Sequence, residues 1–210
     1  MYIDTHCHID MFKSPKQILR TCENNQIITI GMTNLPSHFE MALNHVQNCR
    51  YVRFALGLHP LLTDRHEGEY IKFKRNVDKT SYIGEVGLDF SKEGISSKDK
   101  QLESFEYVLN EIKGKKKVVS LHSRRAEIEV LTLLKKNKIK TAIFHWYSGT
   151  LTNLERIITS GYYFSINPAM INNESGQKII SRIPANLILT ETDAPYTSFS
   201  NRTTKPEDVK

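Results

Sequence analysis

The chain has 210 residues, 39% hydrophobic and 25% charged, which supports one globular domain with a substantial core and argues against disorder. Its net charge of +6 invites a nucleic-acid reading. Three cysteines without CxxC spacing (Cys7, Cys22, Cys49) argue against a disulfide framework, and no apolar run of about eighteen residues or more marks a membrane helix. Free thiols and a start carrying Asp4, His6 and His8 set the expectation of a soluble cytoplasmic protein with neither signal peptide nor anchor.

Tyr2 to Thr5 reads as the first strand, followed by a helix from about Pro15 to Glu23 with proline in its first turn. Gln26 to Gly31 is a β-branched second strand, and Pro36 to Val46 places Phe39, Leu43 and Val46 at helical spacing. Tyr51 to Leu56 is the third strand, ending in Gly57-Leu58-His59-Pro60, and a helix from Glu67 to Asn76 leads to the fourth, Ser81 to Val86. Asp99 to Ile112 is the clearest amphipathic helix, with Ser96 or Ser97 as cap. Val118 to Leu121, the helix Arg125 to Asn137, Thr141 to Phe144 and the helix Asn153 to Thr159, capped by Thr150 or Thr152, continue the alternation. Tyr162 to Ile166, a short helix Gly176 to Ile183, and Leu187 to Thr190 complete it.

Eight apolar strands alternating with helices predict an α/β fold, a parallel (β/α)8 barrel. The alternative, an open doubly wound sheet, lacks a glycine-rich fingerprint after the first or second strand. Seventeen residues follow Asp193, and Lys205-Pro206-Glu207-Asp208 resembles the first turn of a helix that stops, so the outer ring is expected to be incomplete at this end. Apolar surface left bare there would want a partner, a second copy or further chain.

The positive charge is uneven. Residues 111 to 140 hold ten basic side chains, among them Lys113, Lys115, Lys116, Lys117, Lys135, Lys136, Lys138 and Lys140, against three acids, so the remainder is near minus one. In a barrel most of these lysines lie on the face away from the site. They read first as a solvated or partner surface, and second as a nucleic-acid groove. Only Arg124 and Arg125 follow a ligand-bearing strand.

Five strands end in metal-binding side chains: His6 and His8, Glu85, His122, His145 and Asp193. Histidines two apart on an extended run leave the same face. Four histidines and two carboxylates exceed one tetrahedral site, but suit two ions bridged by Glu85, with His6, His8 and Asp193 on one side and His122 and His145 on the other. The donors leave Zn, Mn, Fe, Co and Ni open and disfavour an all-oxygen Mg site, though Mg stays among the candidates. Asp4 and Glu191, each two residues before a ligand, are expected to lie deeper with another task. Asp89 is expected to support the site from behind or to hold its loop.

THCHID, GLHP, GEVGLDF, LHSRRA, FHWYSG and ETDAPY resemble, in order and spacing, the motifs of the TatD family of metal-dependent deoxyribonucleases, over residues 1 to about 197. The resemblance implies an amidohydrolase-type barrel, two divalent ions and cytoplasmic 3′-to-5′ exonuclease activity on DNA. It assigns metal ligation to His6, His8, Glu85, His122, His145 and Asp193, with Asp193 also receiving a proton from the attacking water. Arg124 matches the family's arginine after the fifth-strand histidine, a phosphate clamp through two donors or else a salt-bridging surface arginine. His59 matches a loop histidine near the pocket mouth that contacts phosphate or substrate or else fixes the loop ahead of Pro60. Trp146 and Tyr147 stand where the family commonly has cysteine and phenylalanine, and Leu61 where it often has histidine. The two aromatics would stack on an unpaired base or fill the barrel mouth. The short C-terminus resembles a compact TatD-like component of a bacterial anti-phage system that works with other proteins of its operon.

The leading expectation is therefore a DNase acting on single-stranded or 3′ ends, away from any membrane. The alternatives are a metal-dependent hydrolase of a small amide, lactone or nucleoside-type substrate, and a weakly active or inactive partner subunit of a defence complex.

Overall fold

A computed structural model describes residues 2–210. Nine parallel strands follow one another around a barrel: β1 (Tyr2–Cys7), β2 (Ile27–Gly31), β3 (Val52–Phe54), β4 (Leu56–Leu58), β5 (Tyr82–Gly87), β6 (Val118–His122), β7 (Ala142–His145), β8 (Tyr163–Ile166) and β9 (Ile188–Thr190). They make the eight staves expected, because β3 and β4 are one stave interrupted at Ala55, whose carbonyl accepts from Thr33 Oγ1 at 2.8 Å instead of continuing the ladder.

Nine helices flank the strands: α1 (Pro15–Asn24), α2 (Pro36–Leu43), α3 (Thr63–His66), α4 (Tyr70–Asn76), α5 (Lys98–Ile112), α6 (Glu127–Lys136), α7 (Leu151–Thr159), α8 (Pro168–Ile171) and α9 (Glu174–Ile180). The longer helices turn an apolar stripe inward. In α5 that stripe is Phe105, Val108, Leu109 and Ile112, all buried, and it belongs to a core continuous with Val119, Leu121, Phe144 and Phe164. Thr150 caps α7 by accepting from Asn153 N at 3.2 Å. Ser97 occupies the cap position of α5, but its hydroxyl donates to Gly94 O. Two predicted helices differ in detail: residues 67–69 form a 3-10 turn ahead of α4, and the stretch before β9 holds two short helices, α8 and α9, in place of one. No helix among the described residues is long and apolar enough to cross a membrane.

Two ladders carry the sheet, β1 to β3 and β4 to β9, so the barrel closes at the seam between β1 and β9 by other means. Thr5 Oγ1 donates to Thr190 O at 2.9 Å and Thr190 Oγ1 to Ile3 O at 2.5 Å. Asp4 accepts from Thr192 N at 2.9 Å and Thr192 Oγ1 at 2.6 Å, and beyond it Asp193 N donates to His6 O at 2.9 Å and His8 N to Ala194 O at 2.8 Å. Past the seam a hairpin, β10 (Ser198–Phe199) with β11 (Arg202–Thr203), lies against α8, and a 3-10 turn at Pro206–Val209 packs against β1 and α1. Tyr2 and Ile3 stay 46% and 36% exposed, so β1 has the thin cover anticipated for this side.

Asp4 is fully buried, and burial pushes its carboxyl up to about 8 despite the Thr192 donors. Removing it would leave the buried Thr192 N–H and hydroxyl unpaired. Asp4→Ala is expected to destabilise the fold by about 2–4 kcal/mol, a fall in Tm of roughly 5–15 °C. Urea and thermal unfolding of the two proteins check this, and coincident curves would mean that the seam does not depend on Asp4.

Candidate metal centre

All six side chains expected to bind metal arrive at one end of the barrel, because each sits at or just past the C-terminal end of a parallel strand. They surround Glu85, 3% exposed, and its two oxygens face different neighbours. Oε2 lies 3.6 Å from His6 Nε2 and 3.3 Å from His8 Nε2; Asp193 Oδ1 is 3.7 and 3.6 Å from the same two nitrogens. Oε1 lies 2.7 Å from His122 Nδ1, 3.1 Å from His145 Nε2 and 3.5 Å from His59 Nε2. Three groups of donors are close enough to share an ion: His6, His8 and Asp193; His6, Glu85 and His145; and His59, Glu85 and His122.

Hydrogen bonds behind the rings decide what each presents. His6 Nδ1 is 2.9 Å from Ser120 Oγ, and a ring that donates its proton there turns a bare Nε2 toward His8 Nε2, 3.3 Å away. His122 Nε2 is 2.8 Å from Asp89 Oδ2, which leaves Nδ1 for the site. Asp89 is itself fixed by Ser91 N at 2.8 Å, and its own N–H donates to Gln101 Oε1 at 2.7 Å. Glu191 Oε1 stands 3.6 Å behind His145 Nδ1, anchored by Trp146 N and Asn167 Nδ2, while Ser165 Oγ donates to Oε2. His59 differs, since its Nδ1 accepts from Leu61 N at 3.2 Å; the proton therefore sits on Nε2, and the ring turns an N–H toward the site. Distance alone groups His59 with the ligands, while its bond to Leu61 holds the loop around Pro60.

The electrostatics agree. Burial works against the Glu85 carboxylate, yet His59, His145 and His122 around it hold it well below the usual range. Burial lowers His6 to about 4, with His145 stacked on it at 3.8 Å, so His6 is neutral at physiological pH. Asp193 is pushed up to about 7 by burial, and its Oδ1 is buried with no hydrogen-bond partner. A buried carboxylate oxygen left without a donor, facing two imidazole nitrogens that also face each other, is a donor set completed by a cation. The residues fit a divalent metal.

Two left-handed backbone positions lie at the site. Asp193 and Trp146 have φ of +49° and +39°, a left-handed conformation costing roughly 1–3 kcal/mol each unless surrounding bonds impose it. Asp193 N–H is held by His6 O, and Trp146 N–H by Glu191 Oε1. The close approach of strands also constrains glycine. A side chain on Gly57 would fall 1.5 Å from Thr33 O, the same carbonyl that receives Glu85 N–H at 3.1 Å.

A pocket of about 670 Å³ opens above the donors, lined by His59, Leu61, Arg124, Trp146 and Tyr196 among others. Arg124, half exposed, pairs with Glu93 at 2.8 Å on the rim. Tyr147 does not take the substrate-facing place expected of it. It is 1% exposed, packs edge-on to Phe164 and donates to Thr150 O. The left-handed turn at Trp146 sends one aromatic toward the mouth and the next into the core. Tyr196, 53% exposed and edge-on to His8 at 5.0 Å, supplies the second aromatic wall; the end of ETDAPY was its only sequence signal. Ser120, and Asn34, which lines the pocket and takes His59 N–H on its carbonyl at 2.9 Å, also went unmarked, because nothing local distinguishes a serine inside a strand or an asparagine in a loop.

The sequence matches the family model described as TatD related DNase over residues 3–210. It is 27% identical over 227 residues to the metal-dependent hydrolase YjjV of Escherichia coli, spanning 99% of this chain and 86% of that protein. It is 26% identical over 213 residues to deoxyribonuclease TATDN3 of Homo sapiens, spanning 92% and 77%. The fold superposes on the crystal structure of YjjV with a TM-score of 0.87 and 25% identity, covering 99% of this chain and 86% of that one. On a TatD family protein from Entamoeba histolytica it superposes with a TM-score of 0.80 at 19% identity, covering 97% and 77%.

Binding a cation requires Asp193 as carboxylate and the imidazoles without their extra protons, so protons are released and affinity rises from pH 6 to pH 8. Calorimetry with Mn²⁺ in buffers of different ionisation enthalpy reads this directly. Saturation at about one hundred times Kd should add about 2.7 kcal/mol of stability. Glu85→Ala and His6→Ala should lose that increment and their bound metal by elemental analysis; wild-type metal content in both would contradict the donor set.

Proposed function

We propose, from the premise that this chain belongs to the TatD family of metal-dependent DNases, that it hydrolyses phosphodiester bonds at DNA ends, removing nucleotides from the 3′ terminus of unpaired strands. The observation carrying this reading is the division of Glu85 between two donor sets at the base of a concave pocket. His6, His8 and Asp193 would hold one divalent ion and His122 and His145 the other, with Glu85 between them. When bound, such ions polarise water and phosphate oxygen and offset the charge that develops on the leaving oxygen.

The chain's own groups supply the rest. Asp193 Oδ1, near neutral pKa and without a competing donor, receives the proton of the attacking water. His59 presents its Nε2–H and Arg124 its guanidinium to non-bridging phosphate oxygens. Arg124 is available because its exposed bond to Glu93 contributes at most about 1 kcal/mol, less than a phosphate returns. Trp146 offers an apolar face to an unpaired base. The preference for ends follows from depth: His6 and Asp193 are 0% and 3% exposed, below walls that a continuous duplex does not pass. The 3′ direction and the anti-phage setting belong to the same proposal and rest on the resemblance alone.

The cavity volume also suits a small ester, lactone or amide. Two cationic or N–H donors at the mouth favour phosphate over a neutral carbonyl.

With Mn²⁺, the protein should shorten a 5′-labelled single strand stepwise, and a phosphorothioate 3′ end should arrest it. Glu85→Ala and His122→Ala should lower kcat by at least a thousandfold. Arg124→Ala should mainly raise KM, by about tenfold, as expected for one charge-assisted contact. Unchanged product lengths across metals and substrates, with turnover of a lactone or amide instead, would overturn the reading.

A further inference from the structure

The charge of the molecule is confined to the end of the barrel opposite the pocket. Three turns lead into β5, β6 and β7: residues 77–81, 113–117 and 137–141. They carry Lys79, Lys113, Lys115, Lys116, Lys117, Lys138 and Lys140 against the single acid Asp78. These seven lysines and one aspartate account for the full net charge of +6; the remaining chain has twenty-two basic and twenty-two acidic residues.

The turns form one surface. Val118 N bonds Ser81 O at 2.9 Å, Val119 N bonds Thr141 O at 3.1 Å, and Lys117 Nζ reaches Val77 O and Thr80 O, both at 2.6 Å. Lys117 thereby serves the fold, and Lys115 is neutralised by both oxygens of Asp78 at 2.7 Å. Lys79, Lys113, Lys116, Lys138 and Lys140 are exposed and make no ion pair among the described residues. Compensation of helix C-terminal dipoles does not explain the concentration. The last turns of α1 and α2 point the same way and carry no basic residue.

We propose that this underside binds the phosphate backbone of a nucleic acid, independently of the pocket. The patch has no arginine fork for bidentate recognition, and none of the molecule's exposed large apolar side chains lies in these turns, so the aromatic or aliphatic anchor of a protein interface is missing. Flexible lysines on open turns, one hinged at Gly114 with φ +76° and nothing near its Cβ position, suit a sequence-independent array of phosphates. The donors of the pocket lie at the far ends of the same strands, about 15–20 Å away at roughly 3.3 Å per residue. The bases in the pocket and the phosphates on the underside therefore belong to distant parts of one long strand or to two molecules. Holding the distant part raises the effective concentration of an end at the mouth, lowering KM for long substrates and not for short ones.

The test is fluorescence anisotropy in EDTA, where hydrolysis is silent and the result does not depend on the nuclease reading, with 8-nucleotide and 40-nucleotide single strands of mixed sequence. Five free lysines predict a slope of log K against log salt of about −4.5 for duplex and somewhat less for single strands. Lys113→Gln, Lys116→Gln, Lys138→Gln and Lys140→Gln together should weaken the 40-mer at least thirtyfold at 100 mM salt and flatten the slope by about one per lysine. Tm should not change, and the 8-mer, long enough to reach across the patch, should weaken in the same sense. Equal 40-mer affinity in variant and wild type would overturn the proposal. So would a fall in Tm with DNA binding intact, which would make the lysines a structural device. Polyglutamate of matched charge binding wild type as tightly as DNA, and lost in the variant, would assign the surface to an acidic protein instead.

Discussion

The site depends on a seam. Eight staves can form a closed barrel only if the first and last meet, and here they meet without a regular ladder, through Thr5, Thr190, Asp4 and Thr192. The same join brings His6 and His8, from one end of the chain, against Asp193 from the other. A second join does the same for Glu85, whose N–H is taken by Thr33 O where β2 runs past β4. Both halves of the donor set are thus assembled by closure rather than by any local motif, which is why residues nearly two hundred positions apart can share one ion.

What closure brings together is costly until something joins it. Five imidazoles crowd one carboxylate, a second carboxylate is raised to about 7, and two backbone positions are held left-handed. Hydrogen bonds with Ser120 and Asp89 fix which nitrogen of His6 and His122 faces inward, and Glu191 stands 3.6 Å behind His145. His59 shows how fine the distinction is. One backbone N–H, from Leu61, leaves its proton on the nitrogen that faces Glu85.

Much of this was legible in the sequence. Buried parallel strands write themselves as short apolar runs, and a barrel puts every strand's last polar residue at the same rim, so His6, His8, Glu85, His122, His145 and Asp193 could be gathered before any coordinates. Alternation along a strand predicts direction only while the backbone stays extended, and Trp146, with φ of +39°, breaks that condition and sends Tyr147, expected beside it at the mouth, into the core. Ser120, Asn34 and Tyr196 matter only through what faces them, which composition and spacing do not encode. The break at Ala55 likewise comes from a distant threonine.

The left-handed backbone of Asp193 ties the reagent to the scaffold. A longer acid such as Glu would bring the charge but not the tolerance for that conformation, and Ala would remove both. Asn keeps the shape and visits the left-handed region readily, so Asp193→Asn is the substitution that silences the carboxylate while leaving the loop at rest. Any trapped complex with an intact substrate is best sought with that single-atom exchange.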